Sequence, residues 1–342
     1  MSRRVVLYGA TGHTGRFIAA EMVRRGWSPV LAGRNIETIS ALGGELGADA
    51  KAALADDPQA LDHLLADADA VINAAGPFGD TSPYLIEAAI RAAIPYFDVT
   101  AEPFVANDMF ESYADRARET GTIVAPAFGF FGALGDLLVT AARDDWDSAD
   151  RIELAFALDR WRPTNGTRGA GARRAGRRLV LAAGKLDIRD PAQVAPKGTW
   201  QFGAPFGEQP TVGEFSTVDV VTIARHTPVE RIETWINEAP LVDLASADAS
   251  GPEAADDSGR SDQQFLIEAV VHKGSEGRRA SASGQDIYAI TAPLVCEGVE
   301  WVLSGRAKTI GMVSAGQLFD APAFLGSLSR HLVVNFKQEQ FA

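Results

Sequence analysis

Three glycines set three residues apart, Gly9, Gly12 and Gly15, follow the apolar run Val5-Val6-Leu7-Tyr8 and open a segment with Phe17, Ile18, Met22 and Val23 on one helical face. A strand, a glycine-rich turn and a helix in that order can hold a dinucleotide pyrophosphate. The first N–H groups of the helix have no partner within it, and the aligned peptide dipoles favour an anion there. Gly9 lets the chain turn sharply off the strand, Gly12 lets the backbone approach phosphate without a Cβ in the way, and Gly15 lets the helix pack closely on the strand. The spacing is G-x-x-G-x-x-G rather than the commoner G-x-G-x-x-G. Thr11, His13 and Thr14 complete the turn; they either contact phosphate or only begin the helix.

The next apolar run, Pro29-Val30-Leu31-Ala32, ends in Gly33-Arg34-Asn35, where the adenosine ribose of such a ligand lies. NAD-selective sites place a carboxylate there for the 2′-hydroxyl. An arginine instead suits the 2′-phosphate of NADP(H), because a guanidinium meets phosphate bidentately. No carboxylate follows until Glu37, so Arg34, with Asn35 beside it, predicts NADP(H) as the cofactor.

Further candidates stand at later strand ends. Asn73, Ala74, Ala75, Gly76, Pro77 and Phe78 are expected to line the cofactor, as are Thr100 and Glu102. Phe128, Gly129, Phe130 and Phe131 are candidates for an apolar wall against a substrate, with core packing as the competing role. Asp98, Glu102, Arg168 and Tyr288 are the candidate catalytic side chains; for Asp98 a buried structural role competes. Arg168 is also a candidate anchor for a substrate carboxylate. Arg173, Arg174, Arg177 and Arg178 read as a solvated basic face, with 173/177 and 174/178 sharing sides of a helix.

Other chemistries are excluded. A Tyr-x-x-x-Lys pair, in which the lysine lowers the phenol pKa, is absent: four residues beyond each of the five tyrosines stand Gly12, Ala88, Thr100, Ala117 and Ala292. The five histidines are scattered and Cys296 is the single cysteine, so neither a metal site nor a disulfide framework is expected. No G-x-S-x-G elbow is present. Hydride transfer remains, and it asks little of a protein beyond a positioned nicotinamide and a docked acceptor.

The elements that must position these residues follow from pattern. The chain has 342 residues, enough for about two domains. A net charge of −13 disfavours nucleic acid and anionic membranes as partners. The four residues before the first strand leave no room for a signal peptide, so a cytoplasmic protein is expected. The apolar segment 122–142 is broken by Pro126, Gly129, Gly132 and Gly135 and reads as a strand, a turn and a helix start rather than a membrane span.

Residues 1–130 alternate strand and helix, which predicts an α/β Rossmann-type, doubly wound parallel sheet. Residues 131–288 read as a mixed α+β domain, with strands at 151–158, 218–223, 231–236 and 265–272 and a helix over 167–183. Residues 244–262 are polar and lack aromatics, as expected of a mobile surface loop. Helices over 289–303 and 321–332 end the chain, and 289–342 are expected to return to the first domain.

Several stretches together resemble the saccharopine dehydrogenase-like oxidoreductases, a group that includes saccharopine reductases and trans-acting enoyl reductases. These are Tyr8 to Arg16, Val71-Ile72-Asn73-Ala74-Ala75-Gly76-Pro77-Phe78, Tyr96-Phe97-Asp98-Val99-Thr100-Ala101-Glu102 (with Ala101 where the family has Gly), Pro126 to Asp136, and Gly284 to Ala292. The resemblance implies an NADP(H)-binding first domain and an inserted domain that completes a substrate cleft and makes a homodimer. It implies reduction of a C=N, C=C or C=O bond in a small or lipid-like substrate. A regulatory protein that senses NADP(H) without turnover is the alternative.

Overall fold

The computed structural model describes residues 2–246 and 250–340. The first domain is built from β1 (Arg4–Tyr8), α1 (His13–Arg24), β2 (Ser28–Gly33), α2 (Ile36–Leu46), β3 (Asp49–Ala52), α3 (Pro58–Leu65), β4 (Ala70–Asn73), α4 (Phe78–Ala92), β5 (Tyr96–Asp98), α5 (Pro103–Thr120) and β6 (Val124–Ala125). Its six strands lie parallel in the order β3-β2-β1-β4-β5-β6. Both faces of this sheet are buried, as parallel crossovers require. Val5, Leu7, Leu31, Ile72 and Phe97 point to one face with Ile18 and Met22 of α1. Val6, Tyr8, Val30, Val71 and Tyr96 point to the other with α3, α4 and α5. Helix starts carry their signals: Asn35 and Asp57 cap α2 and α3, and Pro58 and Pro103 occupy first helical positions.

The second domain follows as α6 (Ala133–Arg143), β7 (Ala149–Leu158), α7 (Asn165–Arg174), β8 (Arg178–Ala182), β9 (Lys185–Arg189), β10 (Lys197–Gln201), β11 (Glu208–Gly213), α8 (Asp219–Ala224), β12 (Val229–Asn237), α9 (Glu238–Ala245), β13 (Gln264–Lys273) and β14 (Glu276–Gln285). Helices α10 (Thr291–Leu303), α11 (Ala315–Leu318) and α12 (Ala321–Ser327) and strand β15 (Val333–Gln340) complete the chain. A nine-stranded mixed sheet runs β10-β11-β12-β7-β13-β14-β15, with the β8–β9 hairpin hung on β12. β7 pairs parallel with β12 and antiparallel with β13.

Four expectations are corrected. Residues 218–223 are helix α8, not a strand. Their β-branched run is buried on all sides, so neither period 2 nor period 3.6 is visible in it. The helix expected over 167–183 stops at Arg174, because Ala175 and Gly176 take left-handed backbone (φ 51° and 75°), and β8 follows from Arg178. Helix α4 begins at Phe78, ahead of the helical pattern at Tyr84. The last segment meets the first domain at α10, which packs on α1, where Arg25 bonds Glu297 at 2.7 Å. It then leaves, and β15 pairs with β14 at the edge of the second sheet.

Of the loop over 244–262, Leu244 and Ala245 end α9, residues 247–249 lie outside the described residues, and 250–262 are tied down. There Glu253 pairs with Arg162 (2.7 Å), Asp262 with Arg160 (2.9 Å), and Gly259 faces Phe17 of α1.

Candidate cofactor and substrate site

The glycine turn is a steric necessity. Gly9 has φ +85°, and a Cβ there would stand 2.6 Å from Ala75 N, so the turn crosses directly over the end of β4. A Cβ on Gly15 would stand 2.3 Å from Gly9 O, which holds α1 tight against the turn itself. Gly12 is the N-cap of α1, exposed and without any side-chain cap, and the start of the helix faces outward. Thr11, His13 and Thr14 are half-buried around it. The Nε2 atom of His13 is buried with no partner, and burial lowers the pKa of this imidazole while the Asp286 carboxylate opposes the shift. An uncapped helix start beside an orphaned polar atom fits a bound pyrophosphate.

Arg34 is exposed at the carboxyl end of β2 and makes no hydrogen bond or ion pair to the described residues. It lies close enough to Tyr8 that its charge partly offsets the burial that raises the phenol pKa. Asn35 is otherwise engaged: its Oδ1 accepts Glu37 N (2.9 Å) and Thr38 N (3.2 Å) as the cap of α2.

The β4 end is shaped from below. Asn73 is fully buried. Its Nδ2 donates to Thr81 Oγ1 (3.0 Å), Ser82 Oγ (3.2 Å) and Tyr96 OH (3.3 Å), and its Oδ1 accepts Ala75 N (3.0 Å). It therefore holds the turn over 74–78 rather than projecting from it. Ala74, Ala75, Pro77 and Phe78 are half-buried and Gly76 is exposed along that turn.

Asp98 completes the same buried network. Its Oδ1 accepts Thr100 N (3.0 Å) and Ala127 N (2.9 Å), and its Oδ2 accepts Tyr96 OH (2.8 Å). Desolvation pushes its pKa up to about 6 against these donors. With no exposed atom and every lone pair facing a donor, Asp98 joins the ends of β5 and β6 and is not placed to touch substrate. Thr100 is likewise fully buried, and its Oγ1 accepts Glu102 N (3.1 Å).

Glu102, at the N-cap of α5, accepts Phe78 N (3.3 Å) from the first domain and Arg173 NH2 (3.1 Å) from α7 of the second. Tyr288 stands between the domains. Its ring meets His13 edge-on with centroids 5.2 Å apart, and its hydroxyl bonds Trp161 Nε1 (3.1 Å), Thr164 N (3.2 Å) and Thr167 Oγ1 (2.9 Å). Burial raises this phenol's pKa. Arg168 donates to Ser246 O (3.1 Å). The expected solvated basic face is instead bonded to the protein. Arg173 takes Glu102, Arg174 takes Ser216 O (2.9 Å), Arg177 stacks on Phe104 (4.5 Å) and Arg178 takes Glu214 (3.1 Å).

The phenylalanines divide. Phe128 is fully buried against Phe97, Phe319 and Phe324, and Phe130 is buried against Phe265, so both are core and are removed from the proposed substrate wall. Gly129 backs onto Thr291, where a Cβ would meet Cγ2 at 3.3 Å. Only Phe131 of the four is partly open, and it clusters with Trp161 (5.9 Å) and Phe215 (6.0 Å) of the second domain. Among the described residues no group of His, Cys, Asp and Glu is arranged to hold a metal, and no helix is long and apolar enough to cross a membrane.

Sequence reasoning missed Trp161, Thr164, Thr167 and Arg173. Each acts across more than 70 residues of chain, and no local pattern marks such a partner. Thr81 and Ser82 lie in the first turns of α4, ahead of the apolar periodicity that begins at Tyr84.

A parallel six-stranded sheet with a glycine turn on β1, joined to a second mixed sheet, defines a Rossmann-type protein of saccharopine dehydrogenase fold. Residues 5–125 match the family model described as the saccharopine dehydrogenase NADP binding domain, so the first domain is an NADP(H)-binding domain of that kind. The whole structure superposes on apo saccharopine dehydrogenase (L-Glu forming) from Saccharomyces cerevisiae with a TM-score of 0.66. The match covers 98% of this chain and 100% of that one at 14% identity, so the likeness is one of fold. By sequence, the chain is 32% identical over 142 residues to a trans-acting enoyl reductase of Mycobacterium tuberculosis, covering 40% of this chain and 34% of that protein. It is 30% identical over 146 residues to a lipid droplet localized protein of Caenorhabditis elegans, covering 39% and 34%. The chain thus matches about a third of the length of these curated relatives.

Proposed function

We propose that the protein is an NADP(H)-dependent oxidoreductase that reduces a C=N, C=C or C=O bond of a small or lipid-like substrate between its two domains. The observation that carries this reading is the junction at His13. The uncapped start of α1, with the orphaned Nε2 of His13 beside it, meets the ring of Tyr288, which follows β14, so a pyrophosphate held there would lie next to the second domain. The enoyl reductase relative supports the reaction class.

In this reading the N–H groups at the start of α1 bind the pyrophosphate and Arg34 takes the 2′-phosphate. The turn over 74–78, held by Asn73, lines the dinucleotide, and Phe131 with Trp161 and Phe215 excludes water from the acceptor. A bound reduced nicotinamide supplies the hydride. None of Asp98, Glu102 and Tyr288 offers a free proton donor: Asp98 is enclosed, Glu102 is paired and Tyr288 is saturated. Rate acceleration therefore rests on positioning.

The test is NADPH oxidation with a panel of enones, imines and ketones. Turnover of one class identifies the acceptor. Tight NADPH binding with no oxidation by any of them supports a cofactor-sensing protein instead.

A further inference from the structure

Helix α7 is unlike every neighbour. It contains Gly166, Gly169 and Gly171 among ten residues, none of its residues is buried, and it shares no extensive interface with another element. A helix this short and glycine-rich does not hold itself together in water, so its contacts must. Besides Arg168, which donates to Ser246 O from mid-helix, its anchoring contacts stand at its two ends. At the start, the Tyr288 hydroxyl bonds Thr164 N and Thr167 Oγ1, while the Tyr288 ring touches His13 of the glycine turn. At the end, Arg173 on the last turn and Arg177, three residues past the helix, both reach across to the start of α5 in the first domain. Arg173 bonds Glu102, which also accepts Phe78 N at the start of α4, and Arg177 covers the Phe104 ring. Arg174 holds Ser216 O within the second domain.

We propose that α7 is a lid strapped over the cleft between the domains, hinged at Tyr288 and latched to the first domain by Arg173 on Glu102 and Arg177 on Phe104. Each anchor touches a loop that lines the dinucleotide position, the hinge through His13 and the latch through Phe78. Opening at the latch breaks the ion pair between the exposed Arg173 and the largely buried Glu102 carboxylate, one cation–π contact and the Arg174 bond to Ser216 O; α7 carries no buried residue, so no packed core is uncovered. The lid's closing over a bound dinucleotide rests on the NADP(H) reading; the hinge and latch do not.

Amide hydrogen exchange on the full chain tests this, first without cofactor. In R173Q/R177Q the amides of residues 169–174 are expected to exchange about five- to twenty-fold faster, with those of β7 and β13 unchanged. In Tyr288→Phe the acceleration is expected at 165–168. Unchanged exchange across α7 in both variants overturns the lid. With NADPH added to the wild-type protein, slower exchange across α7 together with the glycine turn supports closure. Protection of the turn alone overturns closure while leaving cofactor binding intact. Protection of neither sets the NADP(H) reading aside, and the cofactor-free comparison then decides the lid by itself.

Discussion

Tyr96 donates its hydroxyl to Asp98 Oδ2 at 2.8 Å while Asn73 donates to the same hydroxyl oxygen, so the ends of β4 and β5 share one buried hydrogen-bond chain. This chain reaches Ala127 N beyond β6 and Ala75 N beyond β4, and it sets the height of both loops above the sheet.

Replacing Asp98 with alanine strands Thr100 N and Ala127 N in a dry site. Each unpaired donor costs about 1–3 kcal/mol, so Asp98→Ala is expected to lose about 2–6 kcal/mol. Asp98→Asn keeps one acceptor for the two N–H groups and turns its amide toward Tyr96 and Ser82, both able to accept, so it is expected to lose far less. Urea unfolding of both variants measures the difference; equal losses would contradict the structural role.

Asp219 gives a pH signature. It is fully buried beside Asp136 in the packing of α6 on α8, and neither of its oxygens has a hydrogen-bond partner; the Thr217 hydroxyl and the Gly132 N–H face it without closing a bond. Burial raises its pKa from 3.8 to about 7. Between those values the folded protein keeps a proton that the unfolded chain releases, so unfolding becomes easier as pH rises from about 4 to 7. Asp98, raised to about 6, adds in the same direction. Asp219→Asn removes the larger part of this slope and is expected to be more stable than the wild type at pH 8. Thermal unfolding across pH 4–8 reads both; a variant with the wild-type slope would refute the assignment.

In the proposed function Arg34 carries cofactor choice. Losing a charge-assisted bidentate contact to the 2′-phosphate costs about 1.5–3 kcal/mol, which is roughly 10- to 150-fold in Kd. Arg34→Ala is expected to weaken NADPH by that factor and leave NADH within about two-fold, by fluorescence titration. An unchanged preference between the two would remove Arg34 from the site.

Phe128 and Phe131 are expected to part company. Phe128→Ala opens a hole among Phe97, Phe319 and Phe324 and should cost about 3–5 kcal/mol. Phe131→Ala removes a half-exposed ring, so its stability loss is expected to be under half of that, with its main effect on KM for whichever acceptor is turned over. Denaturation and steady-state kinetics on the pair separate core from wall.

The first domain was readable because its elements are local. Apolar runs buried on both faces, helix caps such as Asn35 and Asp57, and glycines forced by backbone approach all leave marks within a few residues. The second domain was less so. The β8–β9 hairpin turns on Ala183 and Gly184, both with positive φ (50° and 71°), but alanine hides the turn that Asn or Asp would have announced. Helix α8 hides its period by being buried all round. The site shows the same division. Arg34 and the glycine turn are proposed from residue type and spacing alone. Arg173 does not, because its meaning comes from Glu102, 71 residues away.

The packing of α10 on α1 has a consequence for synthesis. The hydrophobic face of α1 (Ile18, Ala19 and Met22) and its Glu21–Arg25 pair are completed by Glu297 and its neighbours, made more than 270 residues later. A ribosome therefore releases the whole parallel sheet and most of the second domain while one flank of the cofactor domain stands bare. A fragment cut after β6 would keep its glycine turn but expose the helix that carries it.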